Sequence, residues 1–585
     1  MINVQKYDIF PTTRLNAEGY RVVHIKKNQE MWHEVYTEHR KRSPRCTGML
    51  KWDMASEERR GMGCREAAVC SECGYKSRMH ALYEEVDTGL RGRKSADLNM
   101  GIQVGLSLSP IGPTALRRLC LSSNLAAPSH ASLQTTANKV NDQIVSENTK
   151  DMKRRRQRLK QINIMRGLKS PENIHVQSDG MYNNPLYSGV GKTPFQPATQ
   201  MVYSVAENET KNHDIISLVT KNKLCSKHKH LDREQTCGPS CSANIPFDKS
   251  IGDEYSWARE AFEELAHDGL HVSHLCTDPD SSAYRAAEDL ACKNNNKFMV
   301  QHYIDTRHLA ENHRKSMKRD ENLAKIVKGK TKAERVKTAH NLAIDIADRC
   351  QAEINRAYRI HTGDVHIMKK KLSYVQDAIM QCYQGCHDLC KKKSFVCKGG
   401  KRNNWILKSA FLSNNESFAL VKGKKTNEIL SKFLSYRLSS SALNKTLVNA
   451  NTQKVEGFNR CLRRSLPKNI TFSRNFHGRA HAAAFCVNNG EGKAITQLCD
   501  KVGCTIPKGG IVDHTLQKNE EYDKSRKLNM KSLEYKLKAK EKRRKLFKMY
   551  EEKKEKSDYE KNKLLKCPTR QTDKAKSDHT YHRKV

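Results

Sequence analysis

Apolar and polar residues alternate along Asn173-Ile174-His175-Val176-Gln177, with Ile174 and Val176 on one face of a two-residue period. That is the pattern of a half-buried strand. The run breaks at Asp179-Gly180, and Asn183-Asn184-Pro185 keeps the chain turning, so this strand is predicted to end on a carboxylate. β-Prone apolar segments follow at Gln200–Val205 and Ile215–Val219. Tyr255–Leu265 has the spacing of an amphipathic helix, and Val272–Asp278 is a second strand ending on a carboxylate. Ser282–Leu290 reads as a helix and Phe298–Asp305 as a third such strand, with His308 one turn on. Strands that give way to alternating helices and strands predict a mixed-sheet α/β fold.

Upstream, Leu98, Ile102 and Leu106 form a helical stripe that Pro110 stops, and Pro113 opens a second helix carrying Leu116, Leu119 and Cys120. A third helix, through Leu133, Val140 and Ile144, runs into the basic cluster Lys153–Arg158. Three short helices and a basic cluster suit DNA contact. A helical spacer with a solvated face, or a nuclear-import signal, fits the same residues. After the third strand the alternation stops, and residues 312–450 read as a Lys-rich helical insertion. Asn451–Arg460 then opens a helix with a polar cap. Residues 516–585 carry 24 Lys/Arg against 12 Asp/Glu, a net +12, with too little apolar content for a core; they read as a solvated helix or a disordered basic tail. The expected division is an N-terminal zinc-binding region (1–90), a helical segment (91–165), a catalytic α/β domain (166–505) and a basic tail (506–585).

Composition changes this picture in three ways. A hydrophobic content of 37% and an aromatic content of 6% point to extended or loosely packed parts in a chain of 585 residues. No run of 18 apolar residues occurs and the first residues lack a secretory core, so neither a membrane span nor export is expected. The formal net charge of +42 favours a polyanionic partner, nucleic acid above all. A basic scaffold protein without catalysis carries the same charge.

The 20 cysteines are expected to be reduced, as metal ligands or core residues rather than disulfides. Cys70-Ser71-Glu72-Cys73-Gly74 is a CxxCG turn that, with Cys46 and Cys64, offers four thiolates to one Zn²⁺. A second group is Cys225, His228, Cys237 and Cys241; a third is Cys382, His387, Cys390 and Cys397, with Cys386 as an alternative to Cys382. Their short spacings let paired ligands grip one zinc ion. Small buried cysteines are the plain alternative.

Asp179 and Asp278 end two predicted strands of one sheet, and Glu456 lies on a helix after the insertion. Together with their surroundings they resemble the Mutator-like transposase domain. The resemblance rests on Ser178–Asn184, Gly191–Pro197, Thr277–Ser282, Asp305-Thr306-Arg307-His308 and Val455–Arg460, and covers about residues 40–500. It implies a DDE-type cut-and-paste DNA transposase with an RNase H-like fold, Asp179, Asp278 and Glu456 being the catalytic carboxylates and Asp280 the runner-up for the second. Such a site holds two Mg²⁺ (or Mn²⁺) ions, for which oxygen ligands must converge from different elements. Phosphoryl transfer asks mainly for that positioning and charge neutralisation. The implied partners are double-stranded DNA, as transposon terminal repeats and target, and further copies of the chain on DNA; the implied location is the nucleus. Asp305 and His308 match the family's D-x-x-H, as metal neighbours or as a helix cap. The competing reading is a domesticated DNA-binding zinc protein that keeps the fold without transposition.

Overall fold

The computed structural model describes residues 19–87, 94–185, 198–225, 241–246, 249–278, 282–294, 299–361, 364–400, 402–409, 411–412, 418–446, 451–468 and 470–565. The chain divides into two compact units, Met1–Thr505 and Ile506–Val585. In the first, α1 (Ile25–Arg42) precedes seven strands of two to four residues, β1 to β7, between Leu50 and Ala96 among the described residues. Helices α2 (Asp97–Leu108), α3 (Pro113–Ser122) and α4 (His130–Met165) follow. The central elements are β8 (Asn173–Pro185), β9 (Ala198–Glu207), β10 (Ile215–Asn222), α5 (Glu254–His267), β11 (His271–Thr277), α6 (Ser282–Lys293) and β12 (Gln301–Ile304).

The five long strands form one sheet in the order β10-β9-β8-β11-β12. The first three pair antiparallel, and β8, β11 and β12 run parallel. Every position of β9 is buried, as expected of a central strand covered on both faces. On one face Ile174, Val176 and Tyr203 pack under Phe262, Leu265 and Ala286 of α5 and α6. On the other, Met181, Val202 and Leu218 meet Val455, Phe458 and Phe476. The latter three belong to α16 (Gln453–Ser465) and α17 (Phe476–Asn489), after which α18 (Glu491–Lys501) closes the unit.

Two readings of the pattern are corrected. The strand does not end at Asp179: β8 runs on to Pro185, with Asp179 opposite Ser204 and Pro185 opposite Ala198. The antiparallel ladder with β9 overrides the turn propensity of Asp-Gly and Asn-Asn, as tertiary pairing often does. What does stop near Asp179 is the parallel ladder to β11, whose last registered pair is Cys276 with Gln177. The third helix, α4, is 36 residues long and its basic cluster is partly internal. Arg156 is 3% exposed, binding Glu264 at 2.9 Å, Asp268 at 2.7 Å and the Ile216 carbonyl. Arg155 pairs with Asp151 at 2.8 Å and Asp214 at 2.6 Å. These two guanidinium groups clasp α4 to the sheet.

Between β12 and α16 lie the helices α7 (Thr306–Arg319) to α15 (Ser440–Thr446). They enclose a core of their own, including Leu342, Ile346, Ile379, Leu430 and Leu434. The chain thus leaves the sheet after β12 and returns to it at α16. The second unit contains α19 (Ile511–Lys531), of which no residue is buried, and α20 (Leu533–Leu565). No helix of the described residues is long and apolar enough to cross a membrane.

The packing of α17 on α4 is tight at Gly478, where an added Cβ would lie 2.1–2.5 Å from the buried Asn141 side chain. Gly478→Ala is therefore expected to destabilise the first unit by about 1–3 kcal/mol through overpacking, read as a lowered thermal midpoint, despite alanine's better helix propensity.

Candidate functional site

Asp179 and Asp278 are brought abreast by the parallel pairing of β8 and β11, since the register Cys276–Gln177 counts on to Asp278 and Asp179. Glu456 comes from the first turn of α16. His308, in the first turn of α7, joins them: its Nε2 lies 3.1 Å from Glu456 Oε1 and 3.4 Å from Asp278 Oδ1. Two arginines also approach Glu456, Arg307 at 3.6 Å and Arg460 at 3.4 Å. Burial and then the neighbouring Asp278 push the Asp179 carboxyl up to about 7, with Glu456 acting in the same direction and His308 against it. All four side chains thus share one electrostatic neighbourhood.

The remaining contacts place these groups. Asp305 is fully buried and its carboxylate is saturated. Oδ1 accepts from the Arg307 and His308 amides at 2.6 and 3.2 Å, and Oδ2 from the Thr452 amide and hydroxyl at 2.8 and 3.0 Å. One carboxylate therefore caps α7 and anchors the entry of α16, a positioning role. Gln177 adds a second anchor, its Oε1 accepting from the Lys454 amide at 3.0 Å. Asn459, one turn beyond Glu456, donates to Asp179 Oδ2 at 2.7 Å. Sequence reasoning assigned no role to Gln177 or Asn459. The two-residue offset of Gln177 from Asp179 and the three-residue offset of Asn459 from Glu456 were the available signals. Asp280 and the Gly191–Pro197 motif lie outside the described residues.

Two Cys/His groups could hold a metal, each with ligand atoms within 4.8 Å of one another. The carboxylates Asp179, Asp278 and Glu456 are not drawn into so tight a cluster; a two-metal site spreads its ligands over two ions rather than one. Cys382, His387, Cys390 and Cys397 form one group as grouped from sequence. Zinc ligated at ~2.3 Å by sulfur and ~2.1 Å by nitrogen sets sulfurs roughly 3.8 Å apart and sulfur and nitrogen roughly 3.6 Å apart. Cys382 and Cys397 are separated by 3.8 Å, and Cys397 Sγ and His387 Nδ1 by 3.7 Å. Beside them Arg349 is wholly buried on Glu353 at 2.9 Å, with no hydrogen-bond partner for Nη1. The guanidinium and the sulfurs of Cys382 and Cys397 lie close enough to act on one another electrostatically.

The other group departs from the sequence grouping. Cys46, Cys70 and Cys73 are joined by His39, while Cys64 sits with Glu57 and Glu66. Cys64 lies on the middle strand of a three-stranded sheet, β3 (Gly63–Glu66), opposite Arg59 of the neighbouring strand. Of the remaining group, His228 and Cys237 lie outside the described residues. Cys225 and Cys241 flank that stretch, and its ends are tied by the Ser242 hydroxyl donating to the Leu224 carbonyl at 3.0 Å.

A family profile described as Mutator-like transposase matches residues 19–397. The match includes Asp179, Asp278, Asp305 and His308 and ends before α16, so the place of Glu456 rests on geometry. Among solved structures, the chain is similar to one described as "Drosophila P element transposase strand transfer complex", at 11% identity and a TM-score of 0.28, over 69% of this chain and 95% of that one. No curated protein matches.

Because Asp179 ionises only near pH 7, its charged form opposes folding when no metal is bound. Unfolded, the group would ionise near 3.9, so this destabilisation is absent below pH ~4, builds up between about pH 4 and 7 and is complete above 7. Asp179→Asn is expected to raise the thermal midpoint of chelator-treated protein at pH 8 and to leave it unchanged at pH 4. The gain should correspond to roughly 1–4 kcal/mol.

Proposed function

The chain belongs to the Mutator-like transposase family, and from that premise we propose that it is a DDE-type DNA transposase. It cleaves phosphodiester bonds at transposon ends and transfers the strands to target DNA. Asp179, Asp278 and Glu456 would hold two Mg²⁺ or Mn²⁺ ions on an RNase H-like core. The observation that carries this reading is the meeting of Asp278 and Glu456 at His308 Nε2, with Asp179 responding to all three charges. Three antiparallel strands continued by two parallel ones support the core assignment.

When bound, the ions would activate the attacking oxygen and neutralise the leaving one. The chain's own residues prepare for this. Asp305 and Gln177 fix the first turn of α16 and so present Glu456. Asn459 holds one oxygen of Asp179. His308 Nε2 sits between the Asp278 and Glu456 carboxylates. The net charge of +42 supplies the attraction to double-stranded DNA. Zinc at Cys382, His387, Cys390 and Cys397 would brace the helices that carry the chain from β12 back to α16. We place the protein in the nucleus, acting as a homo-oligomer on DNA.

The direct test is nicking of DNA that carries the element's flanking inverted repeats. Asp278→Asn or Glu456→Gln should lower the Mg²⁺-dependent nicking rate on the order of 10³-fold, since metal clamping contributes several kcal/mol. DNA binding at matched salt should persist in both. Full nicking by either variant excludes the assigned triad.

The last 70 residues carry +12 of the +42, so most of the positive charge lies on the first unit. A chain ending at Thr505 should bind duplex DNA more weakly and with a shallower salt slope, at about 0.9 per lost phosphate contact, yet still nick. Titrations at several salt concentrations check this; complete loss of salt-dependent binding would make the second unit the sole DNA-binding element.

A further inference from the structure

The N-terminal strands are too short to stand alone. β1 (Leu50–Trp52) pairs only with β4 (Ala68–Cys70), and β6 (Glu85–Val86) only with β7 (Ser95–Ala96), among the described residues, and isolated two-stranded sheets are marginal in water. The core under them is small, with Met31 and Val35 from α1 meeting Ala68, Tyr75 and Leu82. A module of this kind needs a covalent or metal staple, and every described cysteine in it is a free thiol.

We propose that His39, Cys46, Cys70 and Cys73 form a structural zinc site that clamps α1 to the strands. The four ligand atoms lie within 4.8 Å of one another. His39 Nε2 is 3.2 Å from Cys73 Sγ, and Cys46 Sγ is 3.5 Å from Cys70 Sγ. These separations are close to the edges of a zinc tetrahedron, about 3.6 and 3.8 Å, and far beyond a disulfide bond of about 2.05 Å. His39 comes from the last turn of α1, Cys46 from the turn after it, and Cys70 and Cys73 from the end of β4 (Ala68–Cys70) and the turn beyond. One ion therefore ties a helix to a sheet.

The surroundings are shaped for thiolates. The Gly48 amide points at Cys46 Sγ at 3.4 Å, and the Glu72 amide at Cys70 Sγ at 3.5 Å. In both turns the amide two residues on thus donates to sulfur, an arrangement that stabilises sulfur carrying negative charge. At Gly48 an added Cβ would lie 2.6 Å from Cys70 Sγ, so the chain approaches that sulfur as only glycine can. Gly74, after Cys73, has φ +68°, which lets the turn close. His39 is packed edge-on against Tyr75, whose hydroxyl donates to Glu38 at 3.2 Å. That ring contact restricts the orientations open to His39. Cys64 takes no part.

The test uses the full-length chain purified without chelator. Metal analysis should show one zinc fewer per chain in Cys73→Ala and in His39→Ala than in the wild type, and no loss in Cys64→Ala. Because losing a ligand can unfold the module, thiol alkylation of the wild type, mapped by mass spectrometry, gives an independent reading. Cys73 is exposed, as is Cys292. Without chelator Cys292 should label quickly while Cys46, Cys70 and Cys73 stay protected, and chelator should release those three together. The proposal is overturned if Cys73 labels as fast as Cys292 before chelation, if Cys73→Ala and His39→Ala retain full zinc, or if Cys64→Ala loses it. None of these outcomes bears on the assignment of Asp179, Asp278 and Glu456.

Discussion

Carboxylates drawn to one place repel one another, and the rest of the first unit is arranged to bear that repulsion. Asp179 and Asp278 are fixed by the sheet itself. Glu456 arrives on α16, after a long excursion through α7 to α15, and its position depends on how α16 begins. Two acceptors decide that: Asp305, which binds both the start of α7 and Thr452, and Gln177, which binds the Lys454 amide. The buried side of α16, through Val455, Phe458 and Leu462, then fastens it to the sheet. Arg307 and Arg460 bring positive charge to Glu456, and His308 Nε2 lies 3.1 Å from it.

This division of labour explains why Asp305 is saturated although it follows β12 just as Asp278 follows β11. A carboxylate whose oxygens each accept two hydrogen bonds has little capacity left for an ion. Asp278, by contrast, is half-exposed, with its Oδ1 3.4 Å from His308 Nε2. The fold thus turns two similar strand-end aspartates to different ends, one to hold helices and one to face solvent.

Much of this was legible from the chain. The alternation at Ile174 and Val176 and the repeat of strand, carboxylate and helix predicted a mixed sheet and its order of elements. The grouping of Cys382, His387, Cys390 and Cys397 was visible because all four lie within a short stretch. What escaped was whatever depends on distant partners. The strand through Asp179 and Gly180 continues because β9 pairs with it. Arg155 and Arg156 look like a DNA-binding cluster until Asp214, Glu264 and Asp268 meet them. His39 was passed over because a histidine late in a basic helix has no local mark of a ligand; only folding brings it to Cys73.

The central claim is that Asp179, Asp278 and Glu456 hold the ions that carry the chemistry. The most direct measurement is anomalous diffraction from crystals of the protein grown with Mn²⁺ and terminal-repeat DNA. The account predicts two manganese peaks about 4 Å apart, bounded by Asp179, Asp278 and Glu456, with His308 withdrawn from at least one carboxylate. Crystals in which manganese binds elsewhere, while His308 still bridges Asp278 and Glu456 beside bound DNA, would contradict it.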